Sequence, residues 1–478
     1  MTYGSGGPYT RYGWYRRDRR YRPRRGVRRT VAAAALLVAV TACTHAPPDE
    51  PAAPPPGDGV LRIVTGSDLT STGIRRELIE KAAEATGIDD ISIVELPDDA
   101  DRQRSQLVAA LQAGNKDAYD IVNLDVTWTA EFAEQELIEP LEGPLSELDR
   151  RDAKYIWPSV RETVTYEGKA WAVPWNTDVG LLYYRADRFG SDPRLRTWRD
   201  LTRAVADGAD ARDQVGMVTQ LAPYEGLTVN TYEAVWRNGG EIIDEEGRVR
   251  VAEDEARGGL LELASAFSTS GGLPLLDKEW TSSDESGSIE RFLAGEAPTM
   301  RNWPFAKSRL QEHAGKSSGG EGAPRFGVTA LPGAEDGTAG SAALGGQNLA
   351  IAEGSPDQAE AEKLIAWLTS AAAGEELYEG GFVPARQDSL PDDCARGGRA
   401  LPERVPQGSL DEQFLEALCW SMEHARARPV TPYYAAVTQD IQDVMAKQLR
   451  AAPTGPPVDS RASPEDLRDR LRASLDGR

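Results

Sequence analysis

The stretch YDIVNLDVTWTAEFAEQEL, Tyr119 to Leu137, is largely apolar from Ile121 to Leu124, stops at Asp125 and places Trp128 three residues later. A short apolar run with polar residues on both sides reads as a buried strand, and the segment after it, carrying Phe132, reads as a helix. Upstream the same alternation recurs. VLRIVT, Val60 to Thr65, reads as a strand, Gly66-Ser67-Asp68 as its exit, and Ile74, Leu78, Ala82 and Ala85 as one face of a helix. ISIVEL reads as a second strand, and Leu107, Val108 and Leu111 mark a second helix. Strands alternating with helices predict an α/β fold whose parallel strands are covered on both faces. In open sheets of this kind ligands bind just beyond the carboxyl ends of the strands, where Asp68 and Asp125 both stand.

About 420 residues follow Gly59, more than one typical core accommodates, so two domains are expected. Ser355-Pro356-Asp357-Gln358 reads as a helix start, with Ser355 as the cap, Pro in the first turn and Gln three residues after the cap. Its apolar face is Ala361, Leu364, Ile365 and Leu368. A Pro-rich break from Ala452 to Pro457 precedes a last helix starting near Ser463, with Leu467, Leu471 and Leu475 a turn apart. That helix reads as docked on the body or as a tail.

At the other end, residues 1–29 carry ten Arg and one Asp, Thr30 to Val40 form a short apolar stretch, and Val40-Thr41-Ala42-Cys43 follows. That order is an export signal, and the apolar stretch is shorter than the roughly 20 residues of a spanning helix. The four residues ending at Cys43 resemble the bacterial lipobox, in which the Cys is lipidated and becomes the new N-terminus. Met1 to Gly26 reads either as a cytoplasmic extension or as an over-called start. THAPPDEPAAPPPGDG, Thr44 to Gly59, has six prolines and reads as a semi-rigid tether.

Loss of residues 1–42, with their ten Arg and one Asp, takes the net charge from −22 to about −31. So acidic a chain argues against nucleic acid or anionic lipid as a partner and for a neutral ligand. Cys394 and Cys419 remain for an oxidising compartment, bridged or as two buried thiols, which the sequence reads alike. His45, His313 and His424 have no metal-ligand spacing, so no metal or other cofactor is expected.

The segments LDVTWTAEFAE, AVPWNTDVGLLYYR, YEGLTVNTYEAVWRNGG, MRNWPFA, LGGQNLAI and ARPVTPYY, in that order from about Val60 to about Lys447, resemble the type 1 extracellular solute-binding proteins of carbohydrate ABC importers. The likeness is to the branch that binds trehalose, maltose and related oligosaccharides. It implies a two-lobed periplasmic-binding-protein clamshell of type II, each lobe a mixed sheet flanked by helices. The chain would cross the hinge near Trp175 to Asp178, near Leu344 to Asn348 and near Arg386. One lobe would then be residues 60–176 with 347–387, the other 177–346 with 388–478.

A sugar presents adjacent hydroxyls, each donor and acceptor, on a ring with apolar faces. A carboxylate can accept from two of them, an Arg fork can donate to their oxygens, and an indole can cover the ring. Asp125 suits the first task and Trp128 the last. By resemblance Arg104 is the sugar-contacting Arg, its alternative being a solvated helix charge. Asn176 and Asp178 match the polar pair at the first crossing, where Asn-Thr-Asp is also ordinary turn chemistry. Trp236 and Trp303 match stacking aromatics, although Trp236, one turn after Tyr232 in a helix, equally suits a core. Tyr224 and Glu225 line or support the cleft, Gly346 and Gln347 fall at the second crossing, and Arg428 or its neighbour Arg426 reaches in from the C-terminal segment. Asp68 completes the set. Gln347, where relatives often carry Trp, and Thr219-Gln220-Leu221, where they are often richer in Trp and Gly, depart from the family's commonest pattern.

The expectation is a lipid-anchored, monomeric receptor on the outer face of the cell membrane. It would bind a neutral di- or oligosaccharide of the trehalose or maltose type and hand it to the membrane subunits of an ABC permease, without catalysis. The alternatives are a glycoside hydrolase, which needs two carboxylates at a set separation, and a non-catalytic envelope lipoprotein.

Overall fold

The structure is a computed structural model that describes residues 59–113, 118–189, 193–208, 213–267, 274–276, 283–316, 324–334, 340–391, 394, 408–451 and 463–478. The leader, Cys43 and the tether up to Asp58 lie outside these residues.

Among the described residues twelve strands form three sheets. The largest has six, in the order β12 (Val383–Pro384), β6 (Val173–Val179), β11 (Leu344–Ile351), β3 (Ile121–Asp125), β1 (Leu61–Gly66) and β2 (Ile91–Leu96). β1 runs parallel to β2 and β3, and β11 is antiparallel to β3 and β6, so the sheet is mixed. A second sheet has the order β10 (Phe326–Ala330), β7 (Leu181–Arg185), β9 (Thr299–Asn302), β8 (Met217–Val218), again with both senses of pairing. β4 (Thr165–Tyr166) and β5 (Lys169–Ala170) make a hairpin.

β6 ends at Val179 in the first sheet and β7 begins at Leu181 in the second, so Gly180 alone separates them. A Cβ at Gly180 would lie 2.5 Å from Glu233 Oε1 and 2.7 Å from Arg301 Nη2, so only glycine lets the chain pass this buried ion pair. Beside it β11 runs the other way: Leu344 pairs with Val179, and Ala343 bridges to Arg426. The two sheets are therefore joined through β6, Gly180 and β7, with β11 antiparallel beside the crossing. β6 also carries Pro174, which a central strand tolerates only where the ladder is broken. Its register against β11 shifts between Gln347 and Asn348, skipping Trp175, and a bulge of that kind re-aims side chains beside a site.

The strand and helix alternation expected from Val60 to Phe132 is present, with differences in detail. In the helix Ile74–Thr86 the buried stripe is Arg75, Leu78, Ile79, Ala82 and Ala83, whereas Ala85 is exposed. The helix expected to be capped by Ser355 begins at Gln358, with Asp357 at the cap and no side-chain cap bond. The Ser355 hydroxyl instead donates to Asp120 at 2.6 Å and accepts from Asp357 N at 3.3 Å; a buried carboxylate outcompetes a helix end for it. Ala361, Leu364, Ile365 and Leu368 are buried as expected.

The last helix, Pro464–Leu475, is capped by Ser463 and docks on the helix Tyr434–Ala451 through the fully buried Leu467 and Leu471. Cys394 and Cys419 form a disulfide, their Cα atoms 5.2 Å apart. No described helix is long and apolar enough to cross a membrane.

Candidate functional site

Across β3, β11 and β6, one row of paired residues reads Asp125, Gln347, Asn176. The next positions on β11, Gly346 and Gly345, stand opposite Thr177 and Asp178. Gly346 has φ 114°, and a Cβ there would sit 2.4 Å from the Asn176 carbonyl oxygen, so the close approach of the two strands requires glycine. Above this floor lies a cavity that opens to solvent. It is lined from the six-stranded side by Ser67, Arg75, Asp98, Asp125, Trp128 and Gln347, and from the other by Tyr224, Glu225, Glu285, Trp303 and Arg428, with Asp178 between. The two sides touch around it: Gln442 Nε2 donates to Asp101 at 3.1 Å, Ser286 Oγ to Asp98 at 3.4 Å, and Ser71 N to Ser308 Oγ at 3.3 Å.

Glu225 and Glu285 each open a helix, Glu225–Arg237 and Glu285–Ala294, where the helix dipole favours negative charge. Arg428, with 4% of its surface exposed, donates to Glu225 and, at 3.1 Å, to the Leu344 carbonyl. Tyr434 and Thr438 also donate to Glu225, at 2.6 and 2.7 Å. Burial pushes the Glu225 carboxyl upward, against the Arg428 charge. Glu285 accepts from Tyr224 at 2.6 Å and from the Trp303 indole at 3.2 Å, and burial raises it too. Arg301 covers the Trp303 ring, its guanidinium carbon 4.0 Å from the centroid. The ring is thereby fixed in orientation.

Asp125 Oδ1 accepts from Thr127 N at 2.9 Å and Thr127 Oγ1 at 2.7 Å, and lies 4.0 Å from Arg428. No donor among the described residues reaches Oδ2. Asp178 accepts from Asn176 Nδ2 at 3.3 Å through Oδ2, and its buried Oδ1 has no partner among the described residues.

Several sequence-expected residues stand elsewhere. Arg104 makes a two-pronged ion pair with Glu131 and does not line the cavity; the buried carboxylate claims it. Asp68 accepts from Thr70 at 2.6 Å and from the Arg75 amide at 3.0 Å, closing the turn into the helix Ile74–Thr86. Asn176 belongs to the floor but is not a lining residue, both ends of its amide being engaged. Trp236 packs on Tyr232, ring centroids 5.0 Å apart, outside the cavity. Arg426 covers the Trp236 ring at 4.6 Å and pairs with Glu241, so Arg428 is the arginine of the cavity. Gln220 is fully buried and braces Arg301. The reading from sequence missed Arg75, Asp98 and Glu285. Only Arg75 carried a signal: with Leu78, Ile79 and Ala82 it falls at i, i+3, i+4, i+7. Among the described residues no cluster of His, Cys, Asp and Glu has the arrangement of a metal site.

Burial pushes the Asp178 carboxyl up to about 7, opposed by Arg75 and aided by Asp125, with weaker effects of Arg301 and Glu285. An unfolded Asp titrates near 3.9, so between those values the native state holds the extra proton. The associated stability is present at low pH and lost as pH rises through about 7. Without ligand, Asp178→Asn should therefore melt above wild type by its widest margin at pH 8 and by a smaller margin at pH 5.5, the two proteins converging only below the unfolded value. The swing amounts to about 2 kcal/mol; parallel melting curves for the two proteins across that range would refute it.

Two lobes joined through β6, Gly180 and β7, with polar and aromatic groups converging on a cavity between them, define a ligand-binding clamshell. The chain belongs to the bacterial extracellular solute-binding proteins, a sequence model of that family matching residues 77–397. A probable ABC transporter-binding protein of Deinococcus radiodurans is 30% identical over 290 residues, 59% of this chain and 65% of that protein. The maltose-bound MalE3 of T. maritima superposes with a TM-score of 0.71 at 27% identity, over 87% of this chain and 99% of that one. The GacH receptor of Streptomyces glaucescens, solved unliganded and with acarbose, shares the fold with a TM-score of 0.70 at 19% identity, over 87% and 98% of the two chains.

Proposed function

We propose that this chain is the sugar receptor of an ABC importer, taking a neutral di- or oligosaccharide of the trehalose or maltose type between lobes made of residues 60–176 with 347–387 and 177–346 with 388–478. It works as a monomer, tethered to the outer face of the cell membrane by a lipid on Cys43, and delivers the sugar to the permease. The observation that carries this reading is the cavity lining. Carboxylate oxygens of Asp125 and Asp178 without donors among the described residues, and indoles at Trp128 and Trp303, are what a ring with hydroxyl edges and apolar faces needs. The likeness to a maltose-bound receptor supports it. Closure follows because only the closed form offers the ligand contacts from both lobes.

The test is a thermal-shift panel of mono-, di- and trisaccharides on the purified full chain, with the sugars recovered afterwards. A bound sugar at a hundredfold excess over its Kd stabilises by about 2.7 kcal/mol and is recovered intact. No shift with any sugar, or a cleaved product, would sink the reading. The same preparation reports the anchor, since a lipidated chain needs detergent to leave the membrane fraction.

A further inference from the structure

Arg75 is an anomaly among the buried charges. It is 3% exposed, lines the cavity, and its guanidinium lies 4.0 Å from the Phe382 ring centroid and 5.5 Å from that of Trp175. Its side chain donates to two neutral amides, to Asn176 Oδ1 at 3.1 Å and to Gln347 Oε1, and Nε has no partner among the described residues. By contrast, Arg428, the other arginine among the cavity's lining residues, pairs with the Glu225 carboxylate, as Arg301 behind the Trp303 ring pairs with Glu233. A cation taken out of water is costly unless it is paired or fully hydrogen-bonded. Burial lowers Arg75 to about 10, with Asp68 and Asp178 acting against that effect at a distance.

The complementary deficit stands two residues along β6 from its amide partner. Asn176 accepts from Arg75 and donates to Asp178 at 3.3 Å, so one amide spaces the guanidinium from the carboxylate. Arg75 and Asp178 thus both line the cavity, one with a buried donor and the other with a buried acceptor left unpartnered among the described residues, and Asn176 links them. One group satisfies both, a hydroxyl, which accepts and donates at a single oxygen.

We infer that Arg75 and Asp178 form a subsite for one free hydroxyl of the ligand, with Arg75 the residue that enforces the presence of that hydroxyl and takes the donor task the family likeness assigned to Arg104. The inference rests on the sugar-receptor reading and narrows it. The sugar must be unsubstituted at the position meeting this subsite, because an ether there cannot donate to Asp178 and a deoxy carbon leaves both groups unpaired. Sites built to hydrogen-bond a hydroxyl discriminate strongly against analogues that lack it.

The experiment is calorimetric titration of wild type, Arg75→Gln, Asp178→Asn and Arg104→Gln with the best sugar of the panel and its series of monodeoxy analogues. In wild type one deoxy position should lower affinity at least tenfold. In Arg75→Gln the parent sugar should bind about 30- to 100-fold more weakly, while the penalty at that one position shrinks to about twofold and the penalties at all others persist. Asp178→Asn should lose the penalty at the same position, and Arg104→Gln should leave it intact. Arg75 also packs between rings, and a purely structural role would weaken every analogue alike; that pattern overturns the inference, as do parent binding by Arg75→Gln within threefold of wild type and penalties erased at different positions in the two variants. If Arg75→Gln fails to fold, Arg75→Lys gives the same readout, since an ammonium does not reproduce the fork. Wild type that binds no sugar overturns the receptor reading and this subsite with it, whereas wild type that binds while the variants keep the full pattern overturns the subsite alone.

Discussion

Arg428→Met is expected to destabilise the ligand-free protein by about 3–5 kcal/mol and to abolish measurable ligand binding. Arg428 holds Glu225 from inside the wall of the cavity, ties it to the Leu344 carbonyl at the crossing of β11, and lies 4.0 Å from Asp125 on the opposite lobe. Methionine keeps the length of the side chain but leaves the Glu225 carboxylate, 7% exposed, without its cation. Tyr434 and Thr438 still donate to it, yet two neutral donors do not replace a charge. Glu225→Gln on the Arg428→Met background should recover a large part of the lost stability, because an amide retains an acceptor for those hydroxyls and carries no charge to strand. Ligand affinity should stay lost in the double variant, since the contact across the cleft is gone. Chemical denaturation of the two single variants and the double closes the cycle; Arg428→Met as stable as wild type would mean that the pair holds nothing together.

Asp125→Ala should lower ligand affinity about a hundredfold, equivalent to 2.8 kcal/mol, and stability by only about 1 kcal/mol. The two effects belong to two oxygens. Oδ1 closes the turn at Thr127 and contributes to the fold, whereas Oδ2 of this cavity-lining residue has no donor among the described residues. Asp125 does not cap the helix Thr129–Glu134, whose cap is Trp128 without a side-chain bond. Asp125→Asn should retain most of the turn and lie between wild type and Ala in affinity. Titration calorimetry with melting curves separates the roles, and an Ala variant with unchanged affinity and a lowered melting temperature would confine Asp125 to the turn.

Both residues were legible in the sequence, and for a physical reason. Asp125 follows a short apolar strand directly, and strand ends are where open sheets expose their chemistry. Arg428, Glu225, Asp178 and Trp303 sit in segments whose local pattern is distinctive enough to carry a family likeness. Arg104 was misplaced because a helical arginine before an acidic strand end looks the same whether it reaches a ligand or, as here, a buried Glu131 two elements away. Trp236 failed likewise: its neighbour Tyr232 signalled a core, and the core claimed it. Glu285 carried no mark among 76 acidic residues, since its position depends on how the helix Glu285–Ala294 is aimed, and long-range packing decides that. Arg75 was hidden by Arg76, its exposed neighbour, although its place on the apolar stripe was visible. Ser355 shows the same limit in the fold: it had the local chemistry of a cap, and Asp120, distant in sequence, took the hydroxyl.

The central claim is that one sugar sits between the lobes and is gripped from both. A crystal structure of the full chain with the sugar selected by the thermal-shift panel tests it most directly. The sugar is expected in the cavity, hydrogen-bonded to Asp125 Oδ2 from one lobe and to groups of the Glu225, Glu285 and Arg428 wall from the other, with a ring face against Trp303. A sugar bound to one lobe alone, or outside this cavity, would contradict it.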